Sequence, residues 1–133
     1  MPINKNIEIR VRYAETDKMG FVYYSNYLVW FEMARTNYFR NAGFDYNVLE
    51  KERNIFLPVV ECVCRYKRPL FYDDVISAEA SIKEISKTSL VFEYKITKGN
   101  VLTTTGSTKH VFINSSGKTI PVPEDIRKVF LPA

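Results

Sequence analysis

Asp17 stands in the segment ETDKMGFVYYSNYL (residues 15–28), three residues before Gly20 and just ahead of an almost wholly apolar stretch. A carboxylate there is suited to attack a carbonyl carbon, or to deprotonate a water that does so. Its partner would be the helix that the apolar stretch predicts. The first backbone N–H groups of a helix have no intrahelical acceptor and carry partial positive charge, so they can hold an oxyanion. Gly20 lets the intervening loop turn sharply or lie close against a ligand. The plainer alternative is a loop aspartate that closes an Asx-turn. Residue types alone leave both open.

Other polar residues point to weaker chemistry. Glu32 is the lone carboxylate in YLVWFEMA (27–34), where burial without a partner is costly. Arg35 at i+3, or a loop N–H, is expected to neutralise it, a structural pair ahead of a catalytic role. His110, between Lys109 and Val111, is expected to be a hydrogen-bonded strand residue rather than a general base. Cys62 and Cys64 fall on one face of a strand about 7 Å apart, at a rise of ~3.3 Å per residue, too far for an unstrained disulfide. Two thiols and one distant histidine predict no metal site, and the cysteines are expected to be small buried hydrophobes. Nucleophile-elbow serines, glycine-rich phosphate loops and zinc motifs are missing from the chain.

The elements that would position Asp17 follow from periodicity. Ile7, Ile9, Val11 and Tyr13 alternate with Glu8, Arg10 and Arg12, predicting a half-buried strand. Residues 23–43, YYSNYLVWFEMARTNYFRNAG, predict a long helix with Ser25 or Asn26 as N-cap and Gly43 as its stop. It is apolar nearly all round, so it is expected to be enclosed. A short helix over Tyr46–Glu52 follows. From Ile55 the period is two, predicting strands over 60–67, 76–83, 90–97 and 102–113 with short turns at 85–88 and 99–100. These read as an antiparallel meander, and PVPEDIRKVF (121–130) adds a terminal helical turn. The class is α+β, with a five-stranded antiparallel sheet curled around one long central helix. Such a sheet covers only part of the helix and leaves edge strands open, which predicts a homodimer at least.

Composition bounds the partners. A length of 133 residues predicts one domain spanning 1–133, and shares of 46% hydrophobic and 14% aromatic residues support a real core. The net charge of +4 is spread out, with only Arg65, Lys67 and Arg68 approaching a cluster. That favours a solvated basic surface over nucleic-acid binding, and suits a small, highly phosphorylated ligand. The opening MPINKNIEIRVRY lacks the apolar core of a secretory signal, and apolar runs of five or six residues fall far short of the ~20 that span a bilayer. The expectation is a cytoplasmic protein without a membrane span.

One resemblance sharpens this reading. DKMGFVYYSNYL from Asp17, followed by FEMAR at 31–35, resembles the signature of the 4-hydroxybenzoyl-CoA thioesterase family of hotdog-fold enzymes. RYKRPLFYDDV at 65–75 extends the likeness over most of the chain. The resemblance implies hydrolysis of acyl-CoA thioesters, a catalytic carboxylate at Asp17, and a backbone N–H of Tyr24 that polarises the thioester carbonyl. It also implies homodimers or homotetramers with sites at the subunit interface, and no cofactor or metal. Many bacterial members acting on aliphatic acyl-CoAs have His where this chain has Tyr24, whereas the hydroxybenzoyl-CoA branch is similar to this chain in having Tyr. The backbone N–H exists either way; an imidazole role does not. Tyr24, Ser25 and Asn26 are expected to meet the substrate at the helix start. Arg65 and the hairpin residue Lys87 are assigned to the CoA phosphates by position, since no motif fixes them. Direct attack by Asp17 and activation of water both stay open. The alternative function is a non-catalytic module that binds acyl-CoA or acyl-carrier protein.

Overall fold

The computed structural model of the chain describes residues 3–130. Strand β1 (Asn6–Arg10) leads through a 3-10 turn (Tyr13–Glu15) and a loop into helix α1 (Asn26–Asn41) and helix α2 (Tyr46–Glu52). Strands β2 (Val59–Tyr66), β3 (Val75–Ile85), β4 (Ser89–Lys98) and β5 (Val101–Val111) follow, then helix α3 (Glu124–Phe130). All five strands form one antiparallel sheet in the order β1-β3-β4-β5-β2. Register shifts between Val59 and Glu61, Ile82 and Glu84, and Ile96 and Thr97 add local twist and help the sheet curl.

Helix α1 lies on the concave face. Tyr27, Trp30, Phe31, Ala34, Tyr38 and Phe39 are buried, the three- and four-residue spacing of one helical stripe. Their counterparts on the sheet are Ile76, Ala78 and Ala80 of β3, and Leu90, Phe92, Tyr94 and Ile96 of β4. A close approach falls at Gly106 of β5, where a Cβ would stand 2.5 Å from the Phe31 ring. Phe31 in turn stacks on Tyr94 at 4.3 Å. The helix stops at Gly43, whose φ of 98° closes a Schellman turn. There the Phe44 N–H donates to Phe39 O and the Gly43 N–H to Arg40 O.

Four sequence expectations are corrected. The strands do not form a simple meander: β3, β4 and β5 do, but β2 lies beyond β5 at the opposite edge from β1. Residues 67–74 therefore cross the end of the sheet to reach β3. Helix α1 is not enclosed by its own chain, because one sheet wraps only one side of it. Leu28, Val29 and Met33 stay 40%, 49% and 44% exposed. Glu32 shares that bare face, exposed and without an ion pair to Arg35 among the described residues. Cys62 is exposed rather than buried, because β2 is an edge strand with little over its inner face; both thiols are free. Among the described residues no helix is long and apolar enough to cross a membrane.

Candidate active site

The loop between the 3-10 turn and α1 is a tight hairpin. Thr16 bridges Val22, the Asp17 N–H donates to Phe21 O at 2.9 Å, and the Gly20 N–H to Asp17 O at 3.0 Å. Gly20 takes φ of 86°, a conformation that a side chain disfavours. Asp17 Oδ1 accepts the N–H groups of Met19 (2.9 Å) and Phe21 (3.3 Å). The Asx-turn is thus real, and it uses one carboxylate oxygen. The other has no partner among the described residues. Asp17 lines a cleft of about 440 Å³ together with Tyr23, Tyr24, Tyr27, Tyr66, Lys67 and Arg68.

The start of α1 opens on the same cleft. Ser25 is the N-cap residue, but its backbone is already helical and its hydroxyl caps nothing. The N–H groups of Tyr24 and Ser25 have no acceptor among the described residues. From β2, the Tyr66 hydroxyl donates to Tyr24 O at 3.0 Å and holds that turn from the far side. Asn26 serves the scaffold: its Nδ2 donates to Glu15 O at 2.8 Å.

Glu15, absent from the sequence candidates, ties these parts together. It is buried; Oε1 accepts the Arg12 N–H at 2.8 Å and Oε2 the Trp30 Nε1–H at 3.0 Å. Its carbonyl accepts the Tyr23 N–H at 2.8 Å as well as the Asn26 amide. These contacts tie the Asp17 loop to the first turns of α1. The signal lay in Trp30, since an indole N–H in an apolar helix needs an acceptor.

The crossing segment forms the opposite wall. The Lys67 and Arg68 N–H groups both donate to Thr103 O, the Val22 N–H donates to Leu70 O, and Phe21 bridges Phe71. Nearby cations are engaged: Arg10 with Asp73 (3.1 Å), Lys98 with Asp74 (2.8 Å) and Arg12 with Glu15 (3.5 Å). Lys67 and Arg68 form no ion pair among the described residues. The single chain brings neither Arg65 nor Lys87 to this cleft. Arg65 alternates with Cys64 and Tyr66 and so projects from the other face of β2. The Lys87 turn lies level with Val111, whereas Tyr66 lies level with Thr104, about 23 Å away along β5.

The phenols report the field in the cleft. Tyr23 is held above its usual pKa, first by its contact with the Tyr24 hydroxyl and last by the charge of Asp17. Burial pushes Tyr27 up to about 12. His110 lies deeper, away from the cleft. Its Nδ1 faces Leu57 O at 2.9 Å and so carries the proton, leaving Nε2 to accept from the Thr108 hydroxyl at 2.8 Å. Burial lowers this imidazole to about 4, so it is neutral and satisfied. Among the described residues no cluster of His, Cys, Asp and Glu is able to hold a metal ion.

Curled sheet, central helix and a carboxylate loop facing the helix start define the hotdog class. Residues 11–130 match the family model of the Thioesterase-like superfamily. The chain is 31% identical over 124 residues to the Acyl-CoA thioesterase YbgC of Haemophilus influenzae, covering 92% of this chain and 90% of the relative. A solved DHNA-CoA thioesterase from Staphylococcus aureus is 35% identical with a TM-score of 0.89, covering 95% of this chain and 87% of that one. A 4-hydroxybenzoyl CoA thioesterase, solved as an Asp-to-Asn mutant complexed with 4-hydroxybenzoyl CoA, is 28% identical with a TM-score of 0.87. It covers 95% of this chain and 97% of its own. This chain belongs to the Thioesterase-like superfamily, and its relatives place it among the thioester-hydrolysing enzymes.

Proposed function

We propose that the chain hydrolyses acyl-CoA thioesters in the Asp17 cleft. The observation that carries this is that the unengaged Asp17 oxygen shares one cleft with Tyr24, whose N–H has no acceptor among the described residues. With the thioester carbonyl oxygen on that N–H, partial positive charge meets the developing oxyanion. Asp17 then acts in one of two balanced ways. As a base it takes a proton from water; the hydroxide adds to the carbonyl carbon, the C–S bond breaks, and CoA leaves as thiolate to be protonated. As a nucleophile it adds directly, expels the thiolate and forms a mixed anhydride that water cleaves. In a single turnover in ¹⁸O-water, label in the Asp17 carboxylate marks an anhydride that water cleaves at the Asp17 carbon.

Lys67 and Arg68 line the cleft and form no ion pair among the described residues, which supports assigning the CoA phosphates to them ahead of Arg65 and Lys87. A second copy completes the assembly. The bare α1 side chains Leu28, Val29 and Met33 and the open edge of β2 are one-sided in the single chain, and a twofold partner covers both. A relative solved with its thioester bound carries an Asp-to-Asn change, which agrees with a carboxylate in the chemistry. The test is thiol release over short, long and aromatic acyl-CoAs. Asp17→Asn is expected to lower kcat by at least about a hundredfold with little change in substrate affinity. Undiminished turnover in that variant removes Asp17 from the mechanism, and binding of every thioester without hydrolysis leaves a carrier module instead.

A further inference from the structure

Away from the Asp17 cleft, Arg35 stands where two cavities meet. One, about 280 Å³, lies between α1 and α2 and is walled by Arg35, Tyr46, Glu32 and Glu50. The other, about 300 Å³, is a largely apolar slot between α1 and β2 lined by Leu28, Val29, Phe31 and Val59, with Arg35 and the exposed Glu32 again in its wall. Arg35 forms no ion pair among the described residues. Its hydrogen bond is a long one, 3.4 Å to the Tyr94 hydroxyl. That hydroxyl is committed onward: it donates to Thr108 Oγ1 at 2.6 Å, and Thr108 donates to the neutral His110. The network shows Arg35 a lone pair but no negative charge.

The Tyr46 hydroxyl is the second signal. Its oxygen is buried and has no hydrogen-bond partner among the described residues, although the ring is held by stacking on Phe39 at 5.2 Å. Burial holds this phenol above its usual pKa, and the nearby Arg35 charge acts in the opposite sense. A buried hydroxyl without a partner is costly, so a ligand that accepts from it recovers that loss. Glu32 and Glu50 border the cavity, but both are exposed and neither reaches Arg35.

We propose that this pocket binds the carboxylate of a small organic acid. The guanidinium fork holds the carboxylate, the Tyr46 O–H donates to it, and the apolar body of the acid lies in the slot. The acid supplies the counter-charge that Arg35 lacks. The inference does not depend on the reaction at Asp17, although a carboxylic acid is the product class of that reaction. A second copy over this face would roof the slot.

Calorimetric titration of the full chain with hexanoate and benzoate, and with hexanol and benzyl alcohol as uncharged controls, tests this. The acids bind and the alcohols do not. Arg35→Met weakens acid binding by at least about tenfold and Tyr46→Phe by roughly fivefold, as loss of charged and single hydrogen bonds predicts. Tyr46→Phe also keeps or raises the unfolding midpoint, since it deletes a hydroxyl without a partner. Asp17→Asn binds the acids as the parent does. Should Arg35→Met fail to fold, Tyr46→Phe and the acid–alcohol comparison decide. Alcohols that bind as tightly as acids, unchanged affinity in Tyr46→Phe, or acid binding lost with Asp17 overturn the proposal. So does the absence of acid binding in a parent dimer that Arg35→Met splits into monomers, which would assign the carboxylate to a second copy.

Discussion

Replacing Glu15 by Gln keeps the side chain's size but leaves one oxygen where two are needed. Both carboxylate oxygens accept an N–H, from the half-buried Arg12 backbone at 2.8 Å and from the buried Trp30 Nε1 at 3.0 Å. The new NH₂ must face one of those donors, so one hydrogen bond to a charged group is lost and one N–H is left without an acceptor. The cost is about 2 kcal/mol, a large share of the ~5–15 kcal/mol that holds a domain folded. The Arg12 ion pair adds little, because that guanidinium is 74% exposed. For a chain of this length the unfolding midpoint falls by roughly 8 °C. Trp30 is the only tryptophan, so its fluorescence reports both the unfolding transition and the polarity of this contact. The Asp17 loop and the helix start hang on the Glu15 backbone, so kcat should fall several-fold while KM moves less. A variant with the parent's midpoint, emission and kcat would refute the strap. A lower midpoint with unchanged kcat would keep the strap and cut its link to Asp17.

Gly106→Ala places a methyl 2.5 Å from the Phe31 ring and 2.8 Å from Val63 O, and overpacking of this kind costs about 1–3 kcal/mol in urea unfolding; Phe31→Leu in that background should recover part of the loss. His110 is neutral when folded, with its pKa lowered by burial from 6.5 to about 4, so the unfolded chain binds the proton more readily. Stability is full above pH 6.5 and declines as the pH falls toward 4, by up to ~3 kcal/mol. His110→Gln should flatten the stability profile over that window, and an equally steep decline in the variant would assign it to other groups. Replacing both Lys67 and Arg68 by Ala should raise KM for acyl-CoA roughly tenfold at low salt, with less effect at high salt and little change in kcat. An unmoved KM would send the phosphates elsewhere.

Much of the architecture was legible because secondary structure leaves a local trace. Alternation along Ile76–Ile82 and Leu90–Ile96 marked the inner faces of β3 and β4, and Gly43 marked the end of α1 through a positive φ that glycine tolerates. The resemblance through residues 17–35 led to the carboxylate and the helix start that share the cleft. Other features depend on partners distant in the chain. Cys62 has a core-like pattern yet lies on an open edge, because the placement of β2 beside β5 is a pairing choice that periodicity does not encode. Glu32 sits in an apolar run yet faces solvent, because burial depends on which side of α1 the sheet reaches. Arg65, Lys67 and Arg68 look equivalent as a string, and only the crossing of residues 67–74 gives the latter two to the cleft. The sequence by itself determined the elements and put forward the carboxylate at position 17 for the proposed chemistry, since both are written in neighbouring residues. Tertiary structure alone decided the Glu15 strap, the basic wall and the Arg35 pocket, since each is closed by contacts between segments far apart in the chain.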